Sequence, residues 1–164
     1  MIRLALPKGR NLAASLAAFA AGGLDLAELD TAEARDSRRL WHRFPAAGYE
    51  VLLLKDRDLP LYVERGVADA GIVGRDVLDE SGADLLVPLE LAAGQSRLSL
   101  IGREGSRLPR AGSQVRLATK YPRTAARLLE REEWSAEILE LQGSIELAPL
   151  VGLADLILDI VQSG

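Results

Sequence analysis

The chain has 164 residues, of which 48% are hydrophobic and 27% charged, and its formal net charge at pH 7 is −4. These values describe a globular protein long enough to bury a core. The absence of cysteine excludes disulfides and thiolate metal sites, and the single histidine, His42, excludes a multi-histidine metal cluster. No apolar run reaches the length of a membrane span, the start lacks a signal-peptide pattern, and the acidic balance speaks against nucleic acid, so we expect a cytoplasmic protein without membrane or nucleic-acid partners.

Strand-like and helix-like segments alternate along most of the chain, which predicts an α/β fold with mainly parallel sheets. Asn11 and Asp58 are placed as N-caps, and Gly22 and Gly23 end the first helix. In chain order we predict strand 2–6, helix 11–21, strand 49–54, helix 59–65, strand 70–73, helix 74–80, strands 84–89, 97–102 and 115–118, helix 122–132, strand 136–141, a short helix at 146–152, and strand 155–161.

Lysine occurs at only three positions, and each follows a predicted strand: Lys8, Lys55 and Lys120. If those strands are parallel, all three lysines lie at carboxyl ends, the edge where open α/β sheets bind ligands. The alternative is chance placement of polar residues where a buried strand reaches the surface.

The two halves of the chain echo each other. Arg3-Leu4-Ala5 recurs as Arg116-Leu117-Ala118, and the segment from Pro60 to Asp69 has a shorter counterpart from Pro149 to Asp155. The two separations differ, so this is not a tandem repeat of fixed period. The echo suits two related α/β lobes, expected at residues 1–90 and 91–164, with a small-ligand site between them.

Six segments together resemble one family, the catalytic subunit of ATP phosphoribosyltransferase in its short form. They are Leu6 to Arg10, Asp58 to Leu78, Arg97 to Leu100, Ala118 to Pro122, Gly143 to Pro149 and Gly152 to Val161. The resemblance implies two lobes like those of type II periplasmic binding proteins, with the active site in the cleft between them.

The reaction implied by the resemblance is the first step of histidine biosynthesis. Phosphoribosyl is transferred from phosphoribosyl pyrophosphate (PRPP) to N1 of the adenine of ATP, and pyrophosphate is released. The implied cofactor is Mg²⁺, held through substrate phosphates rather than by direct protein ligands. Two polyanions meet in this reaction while the ribose C1 becomes cationic, so positioning and charge neutralisation should contribute most.

Three cations of the first lobe are the candidate catalytic residues: Lys8, Arg10 and Arg38. Lys8 and Arg10 lie between a strand end and a helix start, where they add full charges to the partial positive charge of the helix. By resemblance, Arg10 belongs with the pyrophosphate and triphosphate groups, and Arg38 helps the leaving pyrophosphate. The alternative for Arg38 is a solvated charge.

The second lobe carries the start of a loop that, in the family, cradles the 5′-phosphate of PRPP. Asp159, Ser163 and Gly164 match that loop, and Asp159 is the candidate for the ribose hydroxyls. Asp155, four residues earlier in the predicted strand, shares its face and either joins the site or caps a turn. Glu146 either lies near ribose or magnesium or serves as the first-turn carboxylate of a helix.

Three further residues are candidates for substrate binding. Lys120 and Tyr121 would stack on adenine or contact phosphate, and Asp69 is interpreted as structural as much as functional. Members of the family continue for several tens of residues past the position that matches Gly164 and return to the first lobe. A molecule that ended at Gly164 is therefore expected to be a poor or inactive enzyme, because half of the 5′-phosphate cradle would be missing.

The resemblance also implies partners. We expect ATP and PRPP as substrates, a homodimer or higher homo-oligomer, and a separate regulatory subunit related to histidyl-tRNA synthetase, giving a hetero-oligomer. The competing hypothesis is a noncatalytic two-lobed module that binds a small ligand, since the same fold serves solute receptors and regulator domains.

Overall fold

A computed structural model describes residues 1–31, 39–92, 96–106, 109–110 and 112–161 of the chain. Two compact units divide it, Met1–Gly94 and Gln95–Gly164. Each unit is built on one four-stranded sheet with helices in its strand connections. The predicted class, α/β with mainly parallel sheets, is confirmed.

The first unit has the strand order β2-β3-β1-β4, in which β1, β3 and β4 are parallel and β2 runs antiparallel to β3. Its core is made of apolar side chains from the central strands and α1, including Leu6, Val51 and Leu53. The elements are β1 Ile2–Pro7, α1 Leu12–Ala21, β2 Trp41–Phe44, β3 Tyr49–Leu54, α2 Leu59–Glu64, β4 Ala70–Gly71 and α3 Arg75–Ser81.

The second unit has the strand order β5-β8-β6-β7, in which β6, β7 and β8 are parallel and β5 runs antiparallel to β8. Leu117, Leu156 and Leu158 pack against α4 on one face of this sheet, while Ile157 belongs to a cluster on the other. The elements are β5 Arg97–Gly102, β6 Gln114–Thr119, α4 Pro122–Arg131, β7 Ser135–Glu140, α5 Leu147–Leu150 and β8 Leu156–Val161.

The sequence echo corresponds to the same clasp in both units. In the first, the Arg3 amide donates to the Asp69 carboxylate (2.7 Å), and the Asp69 amide donates to the Arg3 carbonyl (2.8 Å). In the second, the Arg116 amide donates to the Asp155 carboxylate (2.9 Å), and the Asp155 amide donates to the Arg116 carbonyl (2.8 Å). Each clasp joins the start of a central strand to the chain entering the neighbouring parallel strand, so the two units share one construction.

One predicted strand is absent, and one observed strand was not predicted. The structure shows no strand at residues 84–89, where Leu86 is 95% exposed and Leu89 is 71% exposed. The apolar run has no partner strand among the described residues, and periodicity cannot reveal whether a partner exists. Conversely, β2 was not predicted, because four residues on an antiparallel edge give too short a pattern.

The helix predictions are confirmed with small shifts in their bounds, and Gly22 ends α1 as expected. Asn11 and Asp58 occupy the N-cap positions, yet neither side chain makes a capping hydrogen bond. Among the described residues, no helix combines the length and the apolar character needed to cross a bilayer.

Candidate functional site at the carboxyl edges of the two sheets

All three lysines follow parallel strands at the carboxyl edge of a sheet. Lys8 follows β1 and Lys55 follows β3, which pair in parallel in the first unit, and Lys120 follows β6 in the second. The three residues are exposed. The predicted placement of the lysines at carboxyl ends is therefore confirmed.

The corner after β1 holds Lys8 and Arg10 at the surface. The Lys8 amide donates to the Leu54 carbonyl (2.7 Å), which joins this corner to the end of β3. Gly9 has a φ of 109°, and the Leu12 amide donates to its carbonyl (3.1 Å) as α1 begins. The corner thus presents two exposed cationic side chains between a strand end and a helix start.

The side chain of Asn11 stabilises this corner rather than capping the helix. Its Nδ2 donates to Asp56 Oδ2 (2.8 Å), on the turn that follows β3. The two loops of the first carboxyl edge are therefore tied by both a backbone and a side-chain hydrogen bond.

The second unit brings Lys120 and Asp159 together. Lys120 Nζ lies 3.3 Å from Asp159 Oδ1, and the Ile160 amide donates to the same oxygen (2.8 Å). The side chains of Lys120 and Asp159 are 42% and 26% exposed, so both remain within reach of a ligand. A cation and a carboxylate from neighbouring parallel strands therefore meet at this edge.

Tyr121 lies beside this pair but is buried, with 5% of its surface exposed. Lys120 Nζ lies 5.2 Å from the centre of its ring. The ring supports the lysine by a cation–π contact. Little of it is left for stacking on adenine, so of the two predicted roles, phosphate contact by Lys120 fits the geometry better.

Glu146 belongs to the same edge as Lys120 and Asp159. It is exposed and lies in the loop between β7 and the four-residue helix α5, which starts at the next residue. Its side chain makes no capping hydrogen bond to that helix. Glu146 lies at the helix start itself, so the alternative, a carboxylate favoured by the partial positive charge there, stands beside the ribose or magnesium role.

Asp69 and Asp155 lie at the opposite edge, just before β4 and β8, in the clasps described above. The Arg116 guanidinium donates to Asp155 (2.8 Å) and lowers the pKa of that carboxyl below its ordinary value. Four strand residues at about 3.3 Å each put roughly 13 Å between Asp155 and Asp159. The structure does not bring Asp69 or Asp155 together with the other candidates.

Three predicted residues, Arg38, Ser163 and Gly164, lie outside the described residues. Within the described part of the chain, no three acidic or histidine side chains form a group that could hold a metal ion.

Fold and site define a class: two-unit, mainly parallel α/β proteins with charged side chains gathered where the strands end, the edge at which such sheets bind small ligands. Residues 55–164 match the family model described as HisG: ATP phosphoribosyltransferase. Two ATP phosphoribosyltransferases resemble nearly the whole chain. That of Thermus thermophilus is 44% identical over 99% of this chain and 74% of its own length, and that of Deinococcus radiodurans is 45% identical over 99% and 70%.

A solved structure from the same family also matches this chain. A chain of the ATP phosphoribosyl transferase (HisG:HisZ) complex from Thermotoga maritima superposes with a TM-score of 0.81 and 33% identity, covering 100% of this chain and 76% of that one. The chain belongs to the ATP phosphoribosyltransferase family. The resemblance found in the sequence, and the activity it implied as the first step of histidine biosynthesis, are confirmed.

Proposed function

We propose that the two carboxyl edges divide the work of moving phosphoribosyl from PRPP to N1 of the adenine of ATP. The observation that carries this is the placement of every lysine of the chain at a parallel strand end, with Lys120 held against Asp159 at 3.3 Å. An acidic chain that binds two polyanions needs cations placed where those anions bind, and these edges carry Lys8, Arg10, Lys55 and Lys120.

The carboxyl edge of the first unit would bind the leaving pyrophosphate and the triphosphate of ATP. Adenine N1 attacks the ribose C1 with its lone pair, and the bond from C1 to the pyrophosphate oxygen breaks with its electrons leaving on pyrophosphate. Lys8 and Arg10, both exposed at the corner after β1, offset the charge of that group and of the ATP triphosphate. We assign Arg38 to the same leaving group by family resemblance. No strong base is needed, since N1 already carries its lone pair.

The edge of the second unit would hold the ribose phosphate. The Asp159 carboxylate accepts hydrogen bonds from the ribose hydroxyls, and Lys120 donates to a phosphate oxygen or to the ribose. Ser163 and Gly164 follow β8 in sequence and would bind the 5′-phosphate through hydroxyl and amide groups. Glu146, exposed on the same edge, would face the ribose or its magnesium.

Magnesium and protein partners complete the proposal. Mg²⁺ bound on substrate phosphates supplies further charge neutralisation, and Glu146 or Asp159 would each offer it at most one oxygen. The Thermotoga maritima relative belongs to a HisG:HisZ complex. On that ground we propose a regulatory subunit of the HisZ kind, related to histidyl-tRNA synthetase, acting on a homo-oligomer of this chain in the cytoplasm.

The test is pyrophosphate release from ATP plus PRPP, measured for the wild type, D159N and D155N, with and without a HisZ-type subunit. D159N keeps the shape of the side chain but removes the charge. We expect it to raise the KM for PRPP about tenfold or more, because a hydrogen bond to a charged group is lost. D155N should instead leave the KM for PRPP unchanged and lower the melting temperature only slightly, because it weakens an exposed ion pair with Arg116.

Two outcomes would contradict the proposal. If D155N loses affinity for PRPP while D159N keeps it, the ribose binds at the sheet edge of Asp155, opposite to the proposed one. A wild-type protein that binds a small ligand tightly but releases no pyrophosphate under either condition would be the noncatalytic module instead.

A further inference from the structure

Thr119, the last residue of β6, is a buried polar residue that the sequence did not single out. Its side chain is fully buried, with 0% of the residue exposed. Its hydroxyl donates to the Leu158 carbonyl (2.7 Å) and accepts from the Tyr121 amide (2.9 Å), while its own carbonyl accepts from the Leu141 amide (2.9 Å). One residue therefore joins the ends of β6 and β8 and the loop after β7.

These bonds lie directly behind the proposed ribose site. The parallel pairing of β6 with β8 ends at Thr119 opposite Leu158. Lys120 follows Thr119 and Asp159 follows Leu158, and the side chains of these two residues meet at 3.3 Å. The threonine hydroxyl thus links the two strands directly behind the ion pair.

The first unit shows what the fold itself requires at this position. The two clasps align Arg3 with Arg116, so Leu6 is the counterpart of Thr119, three residues further on in each strand. Leu6 is also 0% exposed. A leucine satisfies the packing of the strand end, whereas a buried hydroxyl costs free energy unless both its bonds are made. The hydroxyl is therefore not a requirement of the architecture.

We propose that Thr119 is a positioning residue for PRPP: its hydroxyl holds the ends of β6 and β8 so that Lys120 and Asp159 meet the ribose phosphate together. This inference rests on the proposed function. Small displacements of groups that orient a substrate have large effects on rate and affinity, which is why a bond behind the site matters.

The experiment compares T119V, which keeps the branched shape and removes the hydroxyl, with T119S, which keeps the hydroxyl. V115A, a truncation of a buried residue at the other end of β6, is the control for lost stability. We expect T119V to raise the KM for PRPP about tenfold with a smaller change in kcat, while T119S stays within about twofold of the wild type. V115A should lower the melting temperature, as T119V is also expected to do, but it should not raise the KM for PRPP.

A second readout is independent of turnover. Hydrogen exchange of the Tyr121 amide should be slow in the wild type and in T119S and faster in T119V, since that amide donates to the hydroxyl. Unchanged exchange of the Tyr121 amide in T119V would overturn the inference, and so would a KM for PRPP in T119V no higher than that in V115A. Either result would leave the proposed function standing. If T119V does not fold, a T119S that loses PRPP affinity overturns it equally. A wild type without pyrophosphate release would remove the proposed function and this inference together.

Discussion

The corner that presents Lys8 and Arg10 depends on the backbone of one residue, Gly9. Its φ of 109° lies in a region that side chains with a Cβ rarely adopt. A Cβ added there would meet no atom within 4 Å, so the requirement is conformational rather than steric crowding. This backbone conformation turns the chain so that two cations follow one strand end.

Replacing Gly9 by alanine should therefore strain the corner without a clash. We expect G9A to lose about 2 kcal/mol of unfolding free energy and to raise the KM values for ATP and PRPP, because the corner relaxes to another φ. Urea denaturation and steady-state kinetics measure the two effects.

Gly23 provides the matched control for G9A. It also has a positive φ, 85°, and open space around a built Cβ, but it follows the far end of α1. G23A should lose comparable stability and keep its KM values. Equal kinetic losses in both variants would show that strain anywhere in the unit, rather than at the cationic corner, impairs binding.

Each sheet places an arginine opposite a glutamate on the neighbouring strand, but the surroundings of the glutamate differ. In the first unit, Arg3 on β1 stands opposite Glu50 on β3, and Glu50 also binds Arg43 on β2, with Nε–Oε distances of 3.0 and 3.2 Å. In the second unit, Arg116 stands opposite Glu137 in the same register. Since β7 is an edge strand and β3 is covered by β2, Glu137 is exposed while the side chain of Glu50 is only 9% exposed.

Glu50 should consequently stabilise the first sheet far more than Glu137 stabilises the second. We expect E50Q to lose about 2 kcal/mol of unfolding free energy, because charged hydrogen bonds to arginines on two neighbouring strands are weakened in a buried position. E137Q, the register-matched control, should change the unfolding free energy little. Urea denaturation of both variants measures the difference, and equal losses would mean that burial by β2 is not what gives Glu50 its weight.

The net charge of the chain has the same sign as the charges of the proposed substrates. The net charge is −4, so the average field repels PRPP and ATP, and attraction must come from the cations at the strand ends. Salt screens such local attraction, since the Debye length falls from about 10 Å at 0.1 M to about 3 Å at 1 M.

The KM for PRPP should accordingly rise several-fold between about 50 and 500 mM KCl, with a smaller change in kcat. K8Q and R131Q both lower the net charge from −4 to −5 by removing one positive charge, but only Lys8 lies at a strand end; Arg131 lies at the end of α4, bound to Glu132. K8Q should raise the KM and flatten its salt dependence, whereas R131Q should do neither. Identical behaviour of the two variants would show that net charge, not local placement, governs binding.

The sequence by itself determined the fold class, the family and the placement of the lysines. Each rests on local information: alternating strand and helix patterns, motifs in a fixed order, and a lysine directly after each of three strands. Local hydrogen bonding and side-chain periodicity depend on residues that are close in sequence, so they can be predicted without knowing where the rest of the chain lies.

The tertiary structure decided which charged residues lie together. From the sequence, Asp155 and Asp159 share a face of one strand. In the structure β8 begins at Leu156, and Asp155 lies just before it, where the clasp with Arg116 holds it at the sheet edge away from Lys120. The same holds for the run at 84–89, whose apolar pattern required a partner strand that the described chain does not offer it. The role of Thr119 depends on Leu158, 39 residues away, because strand pairing is a contact between distant parts of the chain.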